Sequence, residues 1–330
     1  MSFLQKRQAV LAGTAYKAAI TAAFLLYAAR GDPNFAQGSD TGIVPSRDYR
    51  WPGLSYESEH SIGRRIPPPS GAVRTRLDPD GFGAWLRGLP LKPGRPAVYL
   101  HDGRLKANQA AHHAVIDIDT GTRNLQQCAD ALLRLRSEYF FARDEFARIR
   151  FRFTDQSESR YTMWARGYRP SIRERRKTRW ALRAQADSGY AGFRSYLQNL
   201  FTYAGTYSLD RESQAVPIAD MRVGDFLIQG GFPGHAVIVV DMAETRRPDA
   251  AGNRRRYYLL AQSYMPAQDL HVLRNPAGRS PWYALDVAGD PGSSGADDAG
   301  HPATRRAATA FKISTPEWEF SAADLKRFQN

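Results

Sequence analysis

Cys128 is the only cysteine in this chain of 330 residues, and two other residues could turn it into a nucleophile if the fold brings them to it. His235 stands at the lip of a strongly apolar run, GDFLIQGGFPGHAVIVVDMA, and Gln262 at the polar end of another, YYLLAQSY. Ahead of Cys128, in NLQQCADALLRL, Asn124 is a good N-cap and Gln127 makes a capping-box-like pair with it, which puts Cys128 in the first turn of a helix. Unpaired N–H groups and the positive end of the helix dipole stabilise a thiolate there, so the expected thiol reacts with electrophiles below neutral pH. The same amides, supported by Gln127 and Asn124, could donate to an oxyanion. An imidazole at a strand mouth can serve such a thiol as general base, and a third polar group, for which Gln262 is the candidate, would fix its tautomer.

The turn before His235 holds Gly230, Gly231, Pro233 and Gly234. Small residues leave room for a substrate backbone, so Gly231 and Gly234 are expected to form one wall of a cleft. Each residue also has a plainer role: a buried cysteine is a common small hydrophobe, and a histidine or glutamine can be a satisfied core residue. A rival constellation, His112, His113, Asp117 and His235, would be a metal site. Adjacent histidines on a strand point to opposite faces, so that site needs a bulge, and no metal or other cofactor is expected.

The elements that must position these groups follow from periodicity. AVYLHDG and HHAVIDIDTG read as strands, the segment from Asn124 to Phe146 as a helix, and ARIRFRFT as a strand. GYAGFRSYLQNLFTYAG reads as an aromatic amphipathic helix, followed by the strands DFLIQG, AVIVVDMA and YYLLAQSY. No helical crossover separates those last strands, which argues for α+β rather than a doubly wound sheet. Residues 32–96 are rich in Pro and Gly and read as an extended arm with one short helix near Phe82 to Leu86. Residues 97–285 form the core, residues 286–310 a flexible insertion, and residues 311–330 a tail that packs on the core with a short helix from Ser321.

The formal charge of +13 arises from 46 Lys and Arg against 33 Asp and Glu, much of it scattered arginine. A nucleic-acid site needs a clustered basic face, so scattered charge argues against that class. The densest run, RERRKTR at Arg173 to Arg179, reads as a solvated loop, or as a dock for an anionic envelope surface. Lys6, Arg7 and Lys17 precede the apolar run Ala18 to Ala29, too short to span a bilayer but suited to a signal peptide cut near Gly31. Residues 1–31 are therefore expected to be a signal peptide or N-terminal anchor, with the chain exported to the periplasm or cell envelope and carrying a free thiol.

VGDFLIQGG, GHAVIVVDMA and LLAQSYM resemble the closing half of NlpC-type papain-like cell-wall hydrolases, and LQQCADALLRL resembles their cysteine helix. From about Val98 to Phe328 the chain is similar to the bacterial domain of unknown function 4846, through NLQQCADALLRLRSEY, QGGFPGHAVIVVDMAE, LLAQSYMPAQD and TPEWEF. The papain-like resemblance implies an antiparallel sheet packed on a cysteine-bearing helix, with Cys128 as nucleophile, His235 as base and Gln262 as the polar third residue. It implies cleavage of an amide or peptide bond in a peptide-like or cell-wall substrate. The same fold hosts acyltransferases and deamidases, and a non-catalytic envelope-binding module is the further alternative.

Overall fold

The computed structural model describes residues 49–51, 53–173, 176–250, 252–285 and 312–330, all within one compact unit of residues 42–330. The expected signal segment at residues 1–31, the start of the arm and the insertion at 286–310 lie outside the described residues.

Helix α1 (Ile62–Arg65), strand β1 (Ala72–Arg74) and helix α2 (Phe82–Arg87) lead to strand β2 (His112–Val115) and the long helix α3 (Cys128–Ala142). Two hairpins, β3 (Arg150–Arg152) with β4 (Glu158–Arg160) and β5 (Tyr168–Arg173) with β6 (Arg176–Leu182), flank the short helix α4 (Tyr161–Ala165). Helices α5 (Tyr190–Tyr203) and α6 (Thr206–Glu212) precede β7 (Gln214–Ala215), β8 (Phe226–Gln229), β9 (His235–Thr245), β10 (Arg256–Gln262), β11 (His271–Leu273) and β12 (Tyr283–Leu285). The tail adds β13 (Lys312–Ser314), β14 (Glu319–Ser321) and β15 (Leu325–Arg327).

Nine of these strands make one sheet in the order β2-β11-β10-β9-β8-β15-β7, with β1 beside β9 and β12 beside β10. Every pairing in it is antiparallel, and with the helices the architecture is α+β. Strand β9 divides the interior. Ala236, Ile238 and Val240 face the larger core with α3, whereas Val237 and Val239 face a smaller one with Ile313, Phe320 and Leu325 of the tail.

Four local expectations are corrected. AVYLHDG forms isolated bridges, Tyr99 to Leu105 and Leu100 to Gln268, because the chain turns back at Gly103, whose φ is +84°. Part of RERRKTR lies in the β5–β6 hairpin rather than a loop, since Arg179 pairs with Ser171 and Trp180 with Pro170. The expected terminal helix is one 3-10 turn, Ala322–Asp324, in which Asp324 Oδ2 accepts Ser321 N–H at 2.7 Å; the chain then extends as β15, with Leu325 buried opposite Leu227. The described part of the arm belongs to the core itself, for Trp85, Leu86 and Leu89 have no exposed surface and β1 lies on β9.

Helix α3 departs from a simple amphipathic pattern, since all 15 of its residues are buried. Its charged face is covered by partners: Arg134 bonds Glu138 and Asp119, and the Arg136 guanidinium lies over the rings of Phe82 and Phe140.

Beside the hairpin β3–β4, Glu212 Oε2 accepts Arg152 N–H at 2.7 Å while Oε1 finds no partner among the described residues. Burial pushes its carboxyl up to about 8. A carboxyl whose pKa rises on folding binds its proton more tightly in the native state, so stability falls as pH rises from about 4.3 toward 8. Glu212→Gln is therefore expected to gain stability over the native chain progressively across that interval and to show no gain below it. Urea denaturation at both ends checks this, and a pH-independent difference would overturn it.

Candidate functional site

Helix α3 begins at Cys128, with Gln127 as its N-cap, so the thiol stands at the first helical position. The N-cap is three residues later than the sequence suggests. Asp130 Oδ2 accepts Gln127 N–H at 3.1 Å and sets the start of the helix, whereas Asn124 works as a tie. Its Oδ1 accepts Ala267 N–H at 2.8 Å and Gln127 Nε2–H at 3.2 Å. Ser263 Oγ adds a second tie, 3.0 Å from Gln126 O. The segment entering the cysteine helix is thus stitched to the loop that follows Gln262. Gln126 is held below by Arg134, which donates to its Oε1 at 2.7 Å.

Cys128 is buried, and its Sγ lies close enough to the backbone of Ala236, the second residue of β9, for that backbone to favour the thiolate. Burial, aided by the charge of Asp130, pushes the thiol up to about 11. This overturns the expected resting thiolate: the dipole of one helix end does not offset removal of the sulfur from water.

His235 is buried and its Nε2 lies 2.8 Å from Gln262 Oε1, so the structure brings these two predicted residues together. Burial lowers the imidazole to about 4. Among the described residues no hydrogen bond joins His235 to Cys128. Tyr264 neighbours both, with its ring 4.6 Å from the imidazole and its hydroxyl within electrostatic reach of the thiol. Trp318 and Phe320 cover the imidazole from the tail, at ring distances of 5.3 and 6.0 Å.

The orientation of Gln262 follows from what surrounds it. Its Nε2 donates to Glu317 Oε2 at 2.8 Å and lies 3.5 Å from His271 Nε2, while Glu317 is paired with the buried Lys106. An ionised carboxylate only accepts, so Glu317 fixes the amide nitrogen on its own side and turns Oε1 toward His235. That carbonyl in turn requires a proton on His235 Nε2, which leaves Nδ1 as the basic nitrogen. Sequence reasoning missed Glu317, Lys106, Tyr264 and Trp318. The only signal for Glu317 was an acid set among aromatics in TPEWEF, 55 residues past the glutamine it bonds.

The glycines are required by the packing of the turn itself. A Cβ on Gly234 would lie 2.4 Å from Thr206 Oγ1 and 2.6 Å from Gln229 O, and one on Gly231 would lie 3.2 Å from Pro233 O. The exposed Phe232, at 86%, is what this turn presents to solvent. As for the rival metal site, the strand has a register shift opposite His112, yet among the described residues no three of His, Cys, Asp or Glu converge as ligands.

A family model described as "Domain of unknown function (4846)" matches residues 62–291, well over half of the chain. The protein belongs to this family. Cys128, His235 and Gln262 lie inside the matched region, and Glu317 and Trp318 lie beyond its end. No curated protein and no solved structure matches the chain.

Proposed function

We propose that this member of the family is a papain-like thiol enzyme of NlpC type, which cleaves an amide or peptide bond in a peptide-like substrate of the cell envelope after export. The observation that carries the reading is the Glu317–Gln262–His235 chain, which leaves Nδ1 of an otherwise enclosed imidazole as the free base beside the strand that meets the Cys128 helix. Cys128 Sγ attacks the acyl carbon as His235 Nδ1 takes its proton. The tetrahedral oxyanion collapses to a thioester, the leaving amine receives the proton from His235, and water releases the acyl group by the reverse path. If an amine replaces water, the same site is an acyltransferase. Gln262 and Glu317 hold the imidazole tautomer and Tyr264 and Trp318 keep water from that hydrogen bond.

A second reading, a non-catalytic envelope-binding module, draws support from the thiol itself, which is 6% exposed and protonated at neutral pH. Intact-mass measurement after exposure to a peptide thioester separates the two. Acylation of Cys128 is expected, roughly 10-fold or more slower in Glu317→Ala, whose glutamine can flip and whose imidazole loses its fixed tautomer. No adduct, or equal rates in native, Glu317→Ala and His235→Ala proteins, would leave the binding module as the better account. Among the described residues no helix is long and apolar enough to cross a membrane.

A further inference from the structure

Away from Cys128, the edge of the sheet at β2 carries a surface cavity of about 390 Å³ lined by Arg65, Arg95, Arg274, Arg279 and His113, over a floor that includes Leu91. Its lining holds no Asp or Glu. Among the described residues none of the four arginines forms an ion pair with a carboxylate. Arg65 is held in place because its two terminal nitrogens donate to Lys92 O at 2.6 Å and Gly94 O at 2.7 Å. Arg95 is held by donating to His112 O at 2.9 Å, which also covers a carbonyl of the edge strand. The backbone of Arg274 is fixed by Tyr283, whose hydroxyl donates to its carbonyl at 2.6 Å. Like charges gathered in one concavity repel, and among the described residues no carboxylate offsets them there.

We propose that this cavity is a binding site for a multiply charged phosphoryl group, carried by a soluble phosphate compound or by a lipid or polymer headgroup. A phosphate brings close to two negative charges and several acceptor oxygens, which suit guanidinium forks better than a point cation or a single carboxylate does. Two of the forks are already immobilised, so little side-chain entropy is lost when the anion enters. His113 is a built-in reporter. Burial lowers its pKa, and Arg95, Arg274, Arg65 and His112, which face it, lower it further. An anion among those arginines reverses their effect and raises it.

The test uses the full chain at physiological ionic strength, with inorganic pyrophosphate as the probe in calorimetry and the His113 imidazole followed by NMR. One pyrophosphate per chain is expected, with an upward shift of the His113 titration. Arg274→Gln combined with Arg279→Gln should weaken binding about 10-fold or more, while Arg183→Gln, on the β6 end, should leave it nearly unchanged. Vesicles of phosphatidylcholine with and without phosphatidic acid form the second arm. Retention on the acidic vesicles that the double variant loses assigns a headgroup, and pyrophosphate binding without retention assigns a soluble phosphate. Binding that the double variant keeps, binding of citrate as tight as pyrophosphate, or no binding at all would overturn the proposal.

Discussion

Cys128→Ser is expected to fold as the native chain does and to turn over an amide or thioester substrate on the order of 10³-fold more slowly, or worse. The hydroxyl fills the same space at the head of α3, but it is a far poorer nucleophile with the same base. The pH dependence of the native protein tests the state of the pair. With the thiol at about 11 and the imidazole at about 4, both are neutral between those limits. A reaction that needs the thiol and a neutral His235 is flat across that interval and falls as pH drops through 4, where the base is protonated. A preformed thiolate–imidazolium pair behaves otherwise, since it fails in alkaline solution as the imidazolium loses its proton. kcat/KM measured from about pH 5 to about pH 10, with circular dichroism to mark the folded range, is expected to show the plateau. An alkaline limb below pH 9 would mean that the free protein already holds the thiolate–imidazolium pair.

What the sequence could convey here was local. Cys128 could be placed at a helix start because the change from strand to helical spacing occurs within a few residues, and Gln262 could be placed beside His235 because neighbouring apolar strands pair. Neither inference needed tertiary information. The state of the thiol did, because its removal from water in the folded chain, together with the charge of Asp130, outweighs the helix end that carries it. The glycine turn was legible as a turn but not as a packed one, since its neighbours Thr206 and Asp210 come from α6. Glu317 and Trp318 were hidden by separation: they reach the site from the far side of residues 286–310, and no periodicity links them to Gln262. Charge is no guide to exposure in this helix: Arg134 and Arg136 are both buried, because Asp119, Glu138 and Phe82 supply partners for them.

The largest effect on stability is expected at Asp241, which no motif marks. It sits in β9 with no exposed surface, and its Oδ1 accepts Arg87 Nε–H at 2.6 Å while its Oδ2 accepts Arg74 Nε–H at 2.8 Å. Arg87 also donates to Thr75 O at 2.9 Å and Arg74 to Ile66 O at 2.6 Å, so one carboxylate joins β1 and α2 to the strand that carries His235. Asp241→Ala leaves two guanidinium groups largely out of water with no counter-charge, and the expected loss is about 3–5 kcal/mol. Removing all three partners is a different experiment. In Asp241→Leu with Arg74→Met and Arg87→Met no charge is stranded, and the triple variant should lie within about 2 kcal/mol of the native chain because apolar side chains recover much of what the ion pairs contributed. Urea titration of the three proteins decides the matter: the midpoint of the single variant should fall with little change in slope, and that of the triple variant should return most of the way. A single variant as stable as the native chain would show that water reaches the two arginines, and that the junction of β1 and α2 with β9 rests on apolar packing alone.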